Sequence, residues 1–162
     1  MNIFAAIPIS LALVLAVQSP FGDLHAKPVE NPAAVAYLFP EQITVAANKP
    51  AKVDLHFKVA QGLHVNSHTP HDEYLIPTTF KLPATPGVRL TDVAFPSGVD
   101  YSFPGNPSEK LSVYTGEFIL HAQLVAEKGE HLVEAKLHYQ ACNNSTCMPP
   151  HDIPVAIDVI AK

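Results

Sequence analysis

The chain has 162 residues, of which 48% are hydrophobic and 15% are charged, so a globular fold is favoured over disorder. This length suits one domain with a sizeable core. The formal net charge of −5 argues against nucleic acid or an anionic membrane as a partner, because both attract basic surfaces. Sixteen prolines and no tryptophan favour strands and turns over helices.

The first element along the chain is an apolar run from Ile3 to Val17. The run is shorter than the roughly 20 residues that a helix needs to cross a bilayer, whereas a secretory signal peptide needs only a short apolar stretch. Residues 1–26 are therefore predicted to be a signal peptide, with cleavage after Ala16 or after Ala26. An uncleaved amphiphilic anchor is the alternative. Export would place the protein where disulfides persist.

Residues 27–162 are predicted to form one β domain. Strands with one buried face alternate apolar and polar residues. The clear examples are Lys52–Val59, Glu117–Leu124, Val133–Tyr139 and Val155–Val159, and the weaker ones are Ala33–Tyr37, Gln42–Ala46, Thr78–Leu82 and Val88–Ala94. Turn residues separate these segments, and no window shows a sustained helical period. The pattern predicts an all-β fold, an immunoglobulin-like antiparallel β-sandwich.

One connection, residues 95–108, is unusually long. It is rich in Gly and Pro, yet it carries the aromatic residues Phe95, Tyr101 and Phe103. Long connections without regular structure are often functional or disordered, and aromatic residues argue against disorder. We predict a loop that folds down over another part of the molecule.

The chain has two cysteines, Cys142 and Cys147, with four residues between them. They could form a disulfide, bind a metal, react with a partner or remain as thiols. A hairpin between the flanking strands would make the disulfide sterically easy. So small a ring contributes only about 2 kcal/mol of stability, which makes a purely structural bond a poor use of the pair. No neighbouring Lys, Arg or helix N-terminus activates either thiol, so the pair suits a relay better than a strong nucleophile.

Two other functions remain open at this point. Cys142, Cys147, Met148 and His151 form a set of soft ligands that could hold Cu(I) in a metal-delivery module, although their spacing matches no zinc pattern. A plain β-sandwich binding module with an inert disulfide is the other alternative. A hydrolase is not indicated, because the sequence has no Gly-x-Ser-x-Gly elbow, phosphate loop or paired carboxylate motif.

The cysteine segment carries a family resemblance. Tyr139-Gln140-Ala141-Cys142 followed by Cys147-Met148-Pro149-Pro150 resembles the Tyr-Gln-Gly-Cys and Cys-Tyr-Pro-Pro signature of the N-terminal periplasmic domain of DsbD, the thiol:disulfide interchange protein. The family member compared has five residues between its cysteines, whereas this chain has four.

The resemblance extends over roughly residues 33–160. Gln61–Ser67 is similar to the strand that follows a Gly turn in that domain, and its His64 and Asn66 stand where the family has aromatic site residues. The segment from Phe95-Pro96-Ser97-Gly98-Val99 through Phe103 to Ser112-Val113-Tyr114 resembles the part of that domain that leads through its cap loop.

This resemblance implies an immunoglobulin-like sandwich whose redox centre is a Cys142–Cys147 disulfide, with no added cofactor. By position, Cys147 would form mixed disulfides with partners and Cys142 would resolve them. Phe103 would pack over the disulfide as the cap residue, with Tyr101 beside it in the cap loop.

The resemblance also implies a periplasmic relay, rather than a stand-alone enzyme, that supplies electrons to oxidoreductases of thioredoxin fold. The 162 residues include neither the multi-helix membrane domain nor the C-terminal thioredoxin-like domain of DsbD. We therefore expect the electron source to be a separate membrane thiol reductant. We also expect a monomer that does not bind nucleic acid.

Overall fold

The computed structural model describes residues 33–39, 41–103 and 105–162, and the strands in these residues form three sheets. The predicted signal peptide and both of its cleavage positions lie outside the described residues. The strands are β1 (Val35–Tyr37), β2 (Glu41–Val45), β3 (Ala51–Val59), β4 (His64–Asn66), β5 (Thr79–Lys81), β6 (Val88–Ala94), β7 (Val99–Phe103), β8 (Asn106–Tyr114), β9 (Glu117–Ala126), β10 (Gly129–Tyr139), β11 (Ala141–Cys142) and β12 (His151–Ala161). Within those described ranges, no helix is long and apolar enough to cross a membrane.

The strands are layered as a β-sandwich. One sheet has the order β1-β3-β9-β6, and the second has the order β2-β12-β10-β5. The predicted all-β, immunoglobulin-like sandwich is confirmed. One pairing departs from the antiparallel rule, because β2 runs parallel to β12. The chain crosses between sheets on both sides of β2, so no hairpin forces that strand to be antiparallel.

The alternating residues of the long strands build the core, as the sequence predicts. On β3, for example, Leu55 and Phe57 are fully buried, and on β10 Leu137 is too. The other core positions of these two strands and of β9 and β12 are Val53, Val59, Phe118, Leu120, Ala122, Leu124, Ala126, Val133, Ala135, Tyr139, Ile153, Val155, Ile157, Val159 and Ala161. A one-residue slip would turn such a face to water, so burial fixes the register of each strand.

The third sheet has the order β11-β4-β8-β7, and it includes most of the segment that was predicted to be a long loop. The prediction that residues 95–108 lack regular structure was wrong, because most of them form an antiparallel hairpin of β7 and β8. The register shifts between Tyr101 and Phe103, and every residue in the first half of β8 is exposed. This exposed half shows no alternation, which is why the sequence did not predict the strand.

Close packing fixes the base of the β7–β8 hairpin. A Cβ atom on Gly98 would lie only 2.2 Å from Ser112 Oγ and 2.8 Å from Ser67 Cβ, so only glycine allows the chain to approach here. The two serine hydroxyls are hydrogen-bonded to each other at 2.8 Å and are buried. Tyr114 Oη donates a hydrogen bond to the Pro96 carbonyl at 2.9 Å. The serine pair holds the hairpin against the segment that follows β4, and the tyrosine bond closes the base of the hairpin.

Candidate functional site at the cysteine pair

Cys142 and Cys147 form a disulfide, with a Cα–Cα distance of 3.9 Å. The two residues face each other as an isolated antiparallel bridge. The predicted hairpin supplies the turn, because β10 and β12 pair along their full length and end at Tyr139 opposite His151. Of the alternatives left open by the sequence, the disulfide is the state that the structure contains.

Local hydrogen bonds shape the turn between the cysteines. Asn143 Oδ1 accepts from the backbone N–H groups of Ser145 and Thr146, each at 2.8 Å. The Asn143 N–H donates to the Thr146 carbonyl at 2.9 Å, and beyond the second cysteine the Met148 N–H donates to Ala141 at 2.8 Å. An asparagine that bonds to the backbone ahead of it is a typical turn former. Hydrogen bonds within the turn and between its flanking residues therefore close the four-residue spacing.

The two cysteines differ in burial. Cys142 is 2% exposed and lies in β11, whereas Cys147 lies outside the strands and is exposed. The residue after it, Met148, is 37% exposed, and Pro149 is exposed too. A thiolate that approaches from solvent therefore meets Cys147 before it meets Cys142.

His64 lies beside the buried cysteine. The Cα partner of Cys142 on β4 is His64, and residues that are paired directly across an antiparallel ladder project from the same face. His64 is only 2% exposed, and its Nε2 atom is buried without a hydrogen-bond partner. Burial lowers the pKa of His64 below 6.5, because desolvation penalises the imidazolium.

The β7–β8 hairpin lies against this histidine. The Tyr101 ring centroid is 4.2 Å from that of His64, and the Phe103 centroid is 6.2 Å from it. Tyr101 Oη also donates a hydrogen bond to Asn144 Oδ1, in the turn between the cysteines. The structure thus brings both predicted cap residues to the neighbour of Cys142. Direct packing of Phe103 on the sulfur atoms stays a prediction.

Asn66, the other residue that stands in an aromatic position of the family, is buried on β4. Its Nδ2 group donates to the Ile76 carbonyl at 3.0 Å and to Gln140 Oε1 at 3.5 Å, next to the strand that carries Cys142. Its Oδ1 atom is buried without a partner. β4 has only three residues, fewer than the four to eight over which alternation marks a strand. That is why sequence periodicity did not reveal the β4 strand; only the resemblance did.

The two proposed copper ligands other than the cysteines lie together in one groove. Met148 and His151 line an open apolar groove of about 560 Å³ together with Pro149, Pro150 and Tyr139. Both cysteine sulfurs are committed to the disulfide. Among the described residues, no group of three or more His, Cys, Asp or Glu side chains is placed to hold a metal ion. The copper hypothesis stays a prediction that gains no support from this geometry.

Comparison with known families identifies the class of protein. The sequence matches the family model described as "Thiol:disulfide interchange protein DsbD, N-terminal" over residues 34–157. The chain therefore belongs to the family of DsbD N-terminal domains, and the predicted resemblance is confirmed. Members of this family take part in thiol–disulfide exchange, which agrees with the disulfide found here. No curated protein matches the chain.

Two solved structures are similar to parts of the chain. The N-terminal periplasmic domain of ScsB from Proteus mirabilis has a TM-score of 0.50 at 14% identity, with 75% of this chain and 43% of that chain covered. The DsbD N-terminal domain of Neisseria meningitidis, in its reduced form, has a TM-score of 0.46 at 22% identity, with 68% of this chain and 79% of that chain covered. This chain thus spans less than half of the ScsB structure.

Proposed function

We propose that the domain is an exported relay that passes reducing equivalents through the Cys142–Cys147 disulfide. The observation that carries the proposal is the unequal burial of the pair, since Cys142 is 2% exposed and Cys147 is exposed. Disulfide exchange proceeds by attack on one sulfur through a mixed disulfide. A pair with one accessible and one protected member suits this reaction, because a partner is directed to a single sulfur.

The exchange runs in two steps in the reduced domain. The Cys147 thiolate attacks a disulfide of the partner, an S–S bond forms between the two proteins, and one partner sulfur leaves as a thiolate. Cys142 then attacks Cys147, the internal disulfide forms, and the second partner sulfur leaves. The domain loses two electrons and the partner gains them, with the proton of each reacting thiol passing to a departing thiolate.

Family membership supports thiol partners in general, and we propose two specific kinds. The acceptors are periplasmic oxidoreductases of thioredoxin fold, and the donor is a separate membrane thiol reductant. The predicted signal peptide supports export, as does the likeness to the ScsB domain, which is described as periplasmic. The relay is the domain's role, and catalysis of a complete reaction belongs to its partners.

Trapping of the mixed disulfide tests the proposal. Cys142→Ala leaves Cys147 without its resolving partner, so this variant is expected to accumulate a covalent complex with a thioredoxin-fold protein that reducing agent releases. Cys147→Ala is the matched control and is expected to trap little, because its remaining thiol is buried. Equal trapping by both variants would contradict the assignment of the two roles. Absence of any complex with either variant would favour a binding module with an inert disulfide.

A further inference from the structure

We propose that His64 is the proton acceptor for Cys142 when that thiol resolves a mixed disulfide. The inference rests on the proposed exchange function and adds a residue to it. In the resolving step, the proton of Cys142 moves to His64 Nε2 as the Cys142 sulfur attacks Cys147. The proton then passes to the departing partner thiolate, or to water when that thiolate is too weak a base to take it, so atoms and charge balance without a further reactant.

The placement of His64 carries the inference. His64 and Cys142 are direct partners across β4 and β11, and the disulfide pairs Cys142 with Cys147 on its other side. Side chains that are paired directly in an antiparallel ladder lie on one face, with Cβ atoms about 4.5–5.5 Å apart. The imidazole therefore lies on the same face of the sheet as the sulfur that must lose a proton, directly across the ladder from it.

Burial of both residues favours His64 over water as the acceptor of the Cys142 proton. His64 and Cys142 are both only 2% exposed, so solvent has little access to either. His64 Nε2 has no hydrogen-bond partner while the disulfide is intact. A buried polar atom without a partner costs free energy, and reduction supplies one, because it creates a thiol on the facing residue.

The surroundings of His64 leave few competitors for that proton. Tyr101 on β7 contacts the ring, and Lys58 lines the same surface groove as His64 and Tyr101. On β8, Tyr114 is opposite Val65, one residue along β4, so it faces the other side of the sheet. The Tyr101 hydroxyl is hydrogen-bonded to Asn144 and Lys58 Nζ to Glu117, so both groups are engaged elsewhere. A neutral imidazole is the suitable acceptor, and burial lowers the pKa of His64, which favours the neutral ring before the transfer.

The test is a stopped-flow reaction of the reduced protein with an aromatic disulfide, 5,5′-dithiobis(2-nitrobenzoate), which releases a coloured thiolate at each step. The first release reports attack by Cys147, and the second reports resolution by Cys142. His64→Gln and His64→Phe are expected to slow the second release by roughly 100-fold, the low end for general base catalysis, and to leave the first release unchanged. A second release within about twofold of the wild-type rate would overturn the inference, because general base catalysis contributes far more.

The choice of variants separates chemistry from packing. Phenylalanine at position 64 keeps a ring to stack on Tyr101. If His64 had a purely structural role, His64→Phe would therefore keep the wild-type rate of the second release, whereas His64→Gln would not. His121→Gln is the matched control, since His121 lies on β9, is exposed, and bonds to Asp54 at 2.7 Å. The control is expected to match the wild type in both releases.

A measurement on the wild type keeps the inference testable if the variants fail to fold. The ring nitrogen NMR signals of His64 are expected to differ between the oxidised and reduced protein, and reduced Cys142→Ala, which lacks the thiol facing His64, should not show the signals of the reduced wild type. Identical signals in both redox states would overturn the inference. The stopped-flow assay uses a small aromatic disulfide and needs no protein partner, so its outcome does not depend on partner trapping. Failure of the relay proposal and failure of the His64 proposal are therefore distinguishable.

Discussion

The Tyr101 hydroxyl on β7 donates a hydrogen bond to the Asn144 side chain, in the turn between the two cysteines. The same tyrosine ring lies 4.2 Å from His64, the cross-strand partner of Cys142. Tyr101 therefore joins the β7–β8 hairpin to the turn between the cysteines and to the cross-strand partner of Cys142. A partner that must reach the inner sulfur has to displace this residue or approach around it.

Removal of the cap contacts should expose the thiols. Tyr101→Phe deletes the bond to Asn144, and a single hydrogen bond of this kind is worth about 0.5–1.5 kcal/mol, so alkylation of the reduced protein should become several-fold faster. Phe103→Ala removes a ring from the same cluster and should act in the same direction. Tyr74→Phe is the control, because Tyr74 is 86% exposed. Unchanged alkylation rates in both cap variants would show that the hairpin does not shield the pair.

The reduction potential of the Cys142–Cys147 disulfide should lie in the range of exchange proteins. Equilibration of the domain against graded thiol buffers is expected to give a value between roughly −180 and −270 mV, where dithiol exchange proteins fall. The physical reason is that the bond closes a small ring and stabilises the fold little. A value below about −300 mV would mark a structural bond and favour the binding-module interpretation.

Gly98 should be intolerant of a side chain. An alanine Cβ there would lie 2.2 Å from Ser112 Oγ, so the base of the β7–β8 hairpin must move. Overpacking of this kind costs about 1–3 kcal/mol, which denaturant unfolding would detect. Gly105→Ala lies in the same hairpin and meets nothing within 4 Å, so it serves as the matched control. If the two variants unfold at the same denaturant concentration, the close approach is not needed.

Burial of His64 should make the stability of the oxidised domain depend on pH. The pKa of His64 is lower in the folded protein than its value of about 6.5 in the unfolded chain. At a pH between these two pKa values, the unfolded chain binds the proton more readily. The contribution of His64 to the free energy of unfolding is therefore at its maximum above about pH 6.5, and it falls as the pH drops from there to the folded pKa.

Denaturant unfolding at several pH values checks the sign. The free energy of unfolding of the wild type should fall relative to that of His64→Phe as the pH is lowered through this window, because phenylalanine does not titrate. The other histidines are common to both proteins, so the difference isolates position 64. An opposite slope, or none, would show that His64 does not gain its proton more readily in the unfolded chain.

Much of the scaffold could be predicted from local patterns. The alternation in Lys52–Val59 and Val133–Tyr139 predicts β3 and β10, because strands at the surface of a core need one apolar face. The cysteine spacing and the flanking strands predict a hairpin that closes the disulfide, and the structure has it. The parallel pairing of β2 was not predictable, since a crossover between sheets leaves strand direction to tertiary packing.

The sequence by itself determined the β-sandwich class, the cysteine pair and the family resemblance, because these depend on short-range periodicity and on residues close together in the chain. The tertiary structure decided which cysteine is buried and that His64 lies opposite Cys142, across 78 positions of sequence. It also decided that residues 99–103 and 106–114 form a hairpin against that histidine. These relationships come from pairing between distant strands, whose partners are selected by burial and register rather than by local preference.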